Sequence, residues 1–141
     1  MNIFSSLLDN SKQFNEIITH IEKKSMPIII SGTAYAQKSH LINSIFEKMG
    51  KRAFVITHND IQARRLCDDL GFFFENECVY IPPKEVLLYE VEASNHESEN
   101  KRAAALGALA GGANAVLSVE SLLQFVLAKK EFDTMQMSFS Y

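Results

Sequence analysis

The sequence predicts an α/β fold in which a parallel sheet is covered by helices on both faces, in three layers. Short apolar runs of four or five residues alternate with longer segments in which apolar residues recur at three- and four-residue steps. Such alternation is typical of strands connected by amphipathic helices. The short runs are apolar at successive positions, which indicates strands buried on both faces of a parallel sheet.

The composition excludes several classes of protein. With 141 residues, 47% of them hydrophobic and 22% charged, the chain is expected to form one compact domain rather than a disordered segment. The formal net charge of −3, from 14 basic and 17 acidic residues, does not predict a surface for the phosphate backbone of nucleic acid. Neither a signal peptide nor a membrane span is predicted, so we expect a cytoplasmic protein with no membrane partner.

The order of elements follows from these patterns. Strands are predicted at residues 27–31, 53–57, 78–81 and 114–118. Helices are predicted at residues 38–49, 59–74, 96–110 and 119–130, and an N-terminal helical segment precedes the first strand. Ser11 is predicted to cap a helix in that segment, and Asn59 or Asp60 to cap the helix after the second strand. Gly50 is predicted to end the helix before the second strand.

We divide the chain into three parts. Residues 1–24 form an N-terminal helical segment, residues 25–132 form the α/β subdomain, and residues 133–141 begin a further subdomain that is truncated here. The last part has the strict alternation of a strand, with apolar side chains at Met135, Met137, Phe139 and Tyr141.

The segment with the most specific chemistry is GTAYAQKS, residues 32–39, between the first predicted strand and the following helix. It is similar to the phosphate-binding loop GxxxxGK[ST], in which backbone N–H groups surround phosphates, the lysine reaches the terminal phosphates and the hydroxyl binds magnesium. Gly32, Lys38 and Ser39 fit this pattern and are the candidate nucleotide-binding residues. Gln37 replaces the second glycine, and its side chain obstructs the close approach of a phosphate. We therefore favour a structural strand-to-helix turn over a functional nucleotide site.

No catalytic residue and no metal site are predicted. A nucleotide hydrolase needs an acidic residue at the end of another strand to position magnesium and water. Asp60 and Glu120 follow strands, but each is explained as a favourable charge at the start of a helix. The histidines and cysteines lack the spacing of metal ligands, so Cys67 and Cys78 are predicted to be free thiols, buried or half-buried.

Three segments in order carry a resemblance to a known family. The degenerate loop comes first. A helix with the pattern A-x-R-L-x-D-x-L follows, matched by Ala63, Arg65 or Arg64, Leu66, Asp68 or Asp69, and Leu70. A segment similar to FPDWETLPYDxFSPxxxIxxxRLxxL comes next, matched by Pro82, Glu85, Leu87, Tyr89, Glu90 and Arg102. Over about residues 25–130 the chain thus resembles the N-terminal region of bacterial transcription-repair coupling factors, the Mfd family.

The resemblance implies a UvrB-like subdomain whose helicase-like, RecA-like sheet has lost its nucleotide site. It implies that the complete protein releases RNA polymerase stalled at DNA lesions by ATP-driven translocation, and recruits nucleotide excision repair through UvrA. ATP and magnesium would bind motor domains absent from this chain, and RNA polymerase and DNA would also contact absent domains. UvrA would contact mainly the following subdomain. This segment would pack against other domains of the same protein as a scaffold without a cofactor or enzymatic activity of its own.

Two alternatives remain open. The first is an independent P-loop protein, a small ATPase or kinase with an unusual loop, which predicts ATP binding by this chain alone. The second is the N-terminus of UvrB itself, a protein that keeps an intact P-loop and carries an aromatic hairpin for DNA. Neither of those two features is visible in this sequence.

Overall fold

A computed structural model describes residues 8–73, 78–84 and 96–124 of the chain. In chain order the elements are α1 (Lys12–Glu22), α2 (Tyr35–Met49), β1 (Phe54–Thr57), α3 (Asp60–Phe73), β2 (Cys78–Ile81), α4 (His96–Ala110), β3 (Asn114–Ser118) and α5 (Val119–Leu123). The predicted alternation of strands and helices is therefore confirmed from β1 onward.

The three strands form one parallel sheet in the order β1-β3-β2. Val55 of β1 pairs with Val116, and Val79 of β2 pairs with Ala115. All five residues of β3 are buried, as expected for a strand with a neighbour on each side and a helix near each face. Three of the four predicted strands and their parallel pairing are thus confirmed.

The predicted strand at residues 27–31 is wrong. These residues have no regular secondary structure and pair with no strand among those described. Ile29 is 90% exposed and Ile30 is 42% exposed, whereas a central strand would bury both. A run of β-branched residues forms a strand only where it has a hydrogen-bonding neighbour and a packed face, and the described part of the chain supplies neither here.

One face of the sheet packs against α3. The apolar side of this helix buries Ala63, Leu66, Cys67 and Leu70 against Val116 of the central strand. Helix α2 lies behind α3 and adds Ile42 to the same cluster. The apolar positions of the A-x-R-L-x-D-x-L pattern are therefore core positions.

The other face packs against α4. Ala105, Leu106 and Leu109 contact an apolar cluster on the sheet that contains Ile81, Ala115 and Leu117. The sheet residues that contact α4 thus alternate along β3 with Val116, the residue that contacts α3. On β1, however, Phe54 and Ile56 are each 47% exposed, since α4 packs over β2 and the central strand rather than over β1.

Local signals set the helix ends. The Ser11 side chain accepts a hydrogen bond from the Phe14 N–H, and Asn59 accepts one from the Gln62 N–H at 2.8 Å, so both predicted caps form. Gly50 follows α2 with φ +59°, a left-handed conformation that favours glycine, and it ends the helix as predicted. The expected strand at 133–141 and the end of the predicted helix 119–130 lie outside the described residues.

Candidate functional site

The loop between residues 27–31 and α2 contains the candidate nucleotide-binding residues. Gly32 has φ +80°, which lets the chain turn toward the helix. Ala34 is the N-cap of α2, so the helix begins at Tyr35, three residues before the predicted start at Lys38. Gln37 and Lys38 therefore lie in the first turn of this helix.

Gln37 binds the backbone of its own loop. Its Oε1 accepts a hydrogen bond from the backbone N–H of Ala34 at 2.9 Å. This is the backbone half of a capping box, in which the third residue of a helix reaches back to the N-cap. The amide oxygen thus occupies a backbone donor that a phosphate would need, and the side chain lies where the second glycine of a phosphate-binding loop would leave space.

Ser39 and Lys38 point to different environments. Ser39 is 2% exposed and its hydroxyl donates to the Ala36 carbonyl oxygen at 3.3 Å, so the oxygen that would bind magnesium is turned into the helix. The Lys38 side chain is exposed and has no ion pair within the described residues. The structure thus places Gly32, Lys38 and Ser39 in one short segment without directing their groups to a common point.

Tyr35 fastens the same loop to α3. The Arg65 guanidinium lies 4.3 Å from the centre of the Tyr35 ring, a cation–π contact. Burial and the negative charge of Asp69 raise the pKa of Tyr35. The bulky side chain that departs most from a small, mobile phosphate loop is therefore packed against the neighbouring helix.

Asp60, the first residue of α3, is held by two neighbours. The Tyr80 hydroxyl donates to its Oδ1, and the Arg64 Nε donates to its Oδ2 at 2.9 Å. The Arg64 guanidinium also lies 4.8 Å from the centre of the Tyr80 ring. Burial, followed by the hydrogen bond to the carboxylate, raises the pKa of Tyr80. Both carboxylate oxygens of Asp60 are therefore occupied by neighbouring side chains.

The Arg102 side chain connects α4 with Pro82, which follows β2, and with Ser121 of α5. Its Nη1 donates to the Pro82 carbonyl oxygen and to the Ser121 hydroxyl, the latter at 2.8 Å, and its Nη2 donates to the Ser121 carbonyl oxygen at 3.3 Å. The Ser121 hydroxyl also donates to the Pro82 carbonyl oxygen at 3.1 Å. Pro82 and Arg102 are both positions of the second family pattern, so that pattern reflects a contact between α4 and the end of β2.

A cavity of about 620 Å³ lies beside β2, and the sequence analysis did not predict it. Residues of α3, β2 and α4 line it, among them Arg64, Tyr80, Glu97 and Lys101. Glu97 and Lys101 form an exposed ion pair at 2.7 Å, so the charges on this wall largely compensate each other. No sequence pattern signals this cavity, because its lining comes from three elements with ordinary compositions.

Within residues 8–73, 78–84 and 96–124 no group of three potential metal ligands occurs. No helix in that part of the chain is long and apolar enough to cross a membrane. The fold and the loop together define the class of the chain: a small parallel α/β unit with a segment similar to a phosphate-binding loop at the start of a helix.

Comparison with known proteins agrees with this class. The chain is 24% identical over 113 residues to the transcription-repair-coupling factor of Bacillus subtilis (strain 168), covering 79% of the chain and 10% of that protein. It is 30% identical over 92 residues to the UvrABC system protein B of Cyanothece sp. (strain PCC 7425 / ATCC 29141), covering 55% of the chain and 14% of that protein. It is 26% identical over 120 residues to the UvrABC system protein B of Nostoc sp. (strain PCC 7120 / SAG 25.82 / UTEX 2576), covering 75% of the chain and 18% of that protein.

The resemblance to a UvrB-like region of transcription-repair coupling factors is therefore confirmed, and it points to a protein related to DNA repair. No family model and no solved structure matches the chain. The chain spans between 10% and 18% of the length of the three relatives described above.

Proposed function

We propose that this chain is an N-terminal scaffold module of a transcription-repair coupling factor. The observation that carries the proposal is the similarity to such a factor over 79% of the chain. In the complete protein, distant motor domains would hydrolyse ATP and displace stalled RNA polymerase from DNA. This module would pack against other domains of the same protein, and the repair system would be recruited through UvrA, mainly by the subdomain that follows.

The proposal includes the loss of nucleotide binding in this segment. Two contacts support it: Gln37 occupies the Ala34 N–H, and the Ser39 hydroxyl donates to the helix backbone. A phosphate would have to displace the first contact, and magnesium would have to turn the second side chain out of a buried position. Gly32, Lys38 and Ser39 are thus remnants of a site in this proposal, and neither ATP nor magnesium is a cofactor of this module.

The proposal also includes a RecA-like, three-layer architecture for the complete subdomain. The parallel sheet and the packing of α3 and α4 on its opposite faces support it. The outer side of β1 carries the half-exposed Phe54 and Ile56, and the exposed Ile29 and Ile30 lie in the segment before the degenerate loop. Such apolar surface is suited to contact with other domains of the same protein.

A second candidate is a UvrB-type protein, which the 30% identity to UvrABC system protein B favours. That candidate requires nucleotide binding at the loop, because the resemblance to UvrB implies an intact P-loop. The contacts of Gln37 and Ser39 argue for the coupling-factor assignment instead.

Strand-specific repair distinguishes the candidates. The gene that encodes this chain is deleted from its host, and the repair of ultraviolet lesions is measured separately on the transcribed and non-transcribed strands of an active gene. We expect the deletion to abolish the faster repair of the transcribed strand and to leave the other strand unaffected. Loss of repair on both strands would favour the UvrB-type candidate, and unchanged repair on both would contradict both assignments.

A matched variant tests the role of the loop. Complementation with the complete gene carrying Lys38→Ala is expected to restore transcribed-strand repair to the wild-type rate. Failure of this variant, with normal amounts of protein in the cell, would show that the loop still acts on a nucleotide.

A further inference from the structure

The two cysteines of the chain lie in direct contact. Cys67 is on the buried side of α3 and Cys78 is the first residue of β2, eleven positions later. Their Sγ atoms are 3.7 Å apart, and the Cys67 Sγ also lies 3.7 Å from the Cys78 carbonyl oxygen. Both thiols are free. A core cysteine that serves only to fill space does not need a second sulfur as its neighbour.

From this contact we propose that Cys67 and Cys78 form a redox-active dithiol, which a small disulfide such as oxidised glutathione converts into an intramolecular disulfide. The inference does not depend on the proposed function, because it rests on the two thiols alone. A disulfide has an S–S distance of about 2.05 Å, so the sulfurs must approach by roughly 1.7 Å for the bond to form.

The exposure of the two residues suggests the order of the steps. Cys67 is 8% exposed, whereas Cys78 is half-buried, so in this proposal the oxidant meets Cys78 first. The Cys78 thiolate attacks one sulfur of oxidised glutathione, and one glutathione thiolate leaves. The Cys67 thiolate then attacks the Cys78 sulfur of the mixed disulfide and displaces the second glutathione. Two protein thiols and one glutathione disulfide thus become one protein disulfide and two molecules of reduced glutathione.

The contact also favours formation of the thiolate. A hydrogen bond from the Cys78 thiol lowers the pKa of Cys67, and the same contact raises the pKa of Cys78. The pair therefore loses its first proton more readily than an isolated buried thiol. The first proton is therefore lost from Cys67, and Cys78 attacks the oxidant after its own proton has passed to the Cys67 sulfur; the departing glutathione thiolate then takes that proton from Cys67.

The product is defined by the composition, because the chain has two cysteines in total. The full chain is equilibrated with mixtures of oxidised and reduced glutathione under native conditions, and its intact mass and free thiols are measured. We expect both thiols to be lost together, with a mass decrease of two hydrogen atoms and no glutathione retained. A lasting glutathione adduct on the wild-type chain, a covalent dimer, or two thiols that stay free in every mixture would overturn the proposal.

Single variants assign the roles of the two sulfurs. Cys67→Ser, or Cys67→Ala if serine destabilises the core, is expected to retain one glutathione on Cys78, because the second attacking thiol is missing. Cys78→Ser is expected to react far more slowly, because its one thiol is buried. Equal rates of adduct formation in the two variants would contradict the assigned order of steps, while the wild-type mass independently decides whether the disulfide forms.

Discussion

The Gln37 side-chain oxygen accepts a hydrogen bond from the Ala34 backbone N–H at 2.9 Å. This contact closes the loop that resembles a phosphate-binding site onto itself. A glycine at position 37 would leave the Ala34 N–H open to a ligand, so one side chain converts a donor for phosphate into a helix cap. The following predictions test this conclusion and the packing around it.

Calorimetry with Mg-ATP on the chain is expected to detect no tight binding, with any dissociation constant at or above ~1 mM. Gln37→Gly should restore at most weak binding and no hydrolysis, because Ser39 remains buried and both carboxylate oxygens of Asp60 are occupied by Tyr80 and Arg64. Lys38→Ala serves as the control. A low micromolar dissociation constant that Lys38→Ala abolishes would restore the independent P-loop alternative.

Arg102 is expected to be essential for stability. Replacing Arg102 by Ala removes donors from two carbonyl oxygens and a hydroxyl, and it should lower the free energy of unfolding by about 2–3 kcal/mol. Lys101→Ala, one position away on the same helix, removes an exposed ion pair and should leave the free energy of unfolding almost unchanged. Urea denaturation followed by circular dichroism measures both, and similar losses would contradict the role assigned to Arg102.

Helix α3 provides a second matched pair. Leu70 is fully buried against the sheet, so Leu70→Ala should lower the free energy of unfolding by about 2–5 kcal/mol through lost contacts and a cavity. Ile61 is 78% exposed on the same helix, and Ile61→Ala should change the free energy of unfolding by less than about 0.5 kcal/mol. If the Ile61 variant were the less stable one, the orientation of α3 on the sheet would be wrong.

Tyr80 is expected to ionise only at strongly alkaline pH, because burial and its hydrogen bond to Asp60 raise its pKa above 10.0. The folded state then holds a proton that the unfolded state has released. The stabilisation is complete below pH 10 and is lost as the pH rises through the higher folded value. Phenolate absorbance of the wild type minus that of Tyr80→Phe should show this late titration. A difference curve centred near the ordinary pKa of tyrosine would show that the folded state lacks the hydrogen bond between Tyr80 and Asp60.

The chain is expected to bind duplex DNA weakly, because its net charge is −3 and the cationic Arg64, Lys48 and Lys101 are already paired with carboxylates. Fluorescence anisotropy with a labelled duplex at physiological ionic strength measures this. A submicromolar affinity that falls steeply with added salt would reveal a basic surface that the net charge conceals.

The sequence was sufficient for elements whose signals are local. Helix periodicity located α3, and Ser11, Asn59 and Gly50 occupy the helix ends where side-chain chemistry predicted them. Parallel pairing followed from the alternation of strands and helices. The prediction of a strand at residues 27–31 was wrong, because whether a β-branched run becomes a strand depends on neighbours that its own composition does not specify.

The candidate site was predictable in its residues but not in its contacts. The position of Gln37 in the motif suggested a lost function, yet the hydrogen bond that explains the loss depends on the helix starting at Tyr35. Arg102 contacts Ser121, and Cys67 contacts Cys78. Each contact connects two different elements, which come together when the sheet forms. No spacing rule predicts such pairs, because both members are of ordinary type for their own segment.

The strand order carries a consequence for synthesis on the ribosome. Among the described strands, β1 and β2 each pair with β3 and not with each other, and the Ala53 N–H donates to the Asn114 side-chain oxygen at 2.7 Å across 61 positions. A nascent chain that has emerged only as far as β2 therefore lacks β3, the central strand with which both β1 and β2 pair. Sheet formation must wait for Asn114–Ser118 to leave the exit tunnel, and it then closes both ladders in one late, long-range step. Until that moment the apolar faces of α3 and β2 are open to chaperones.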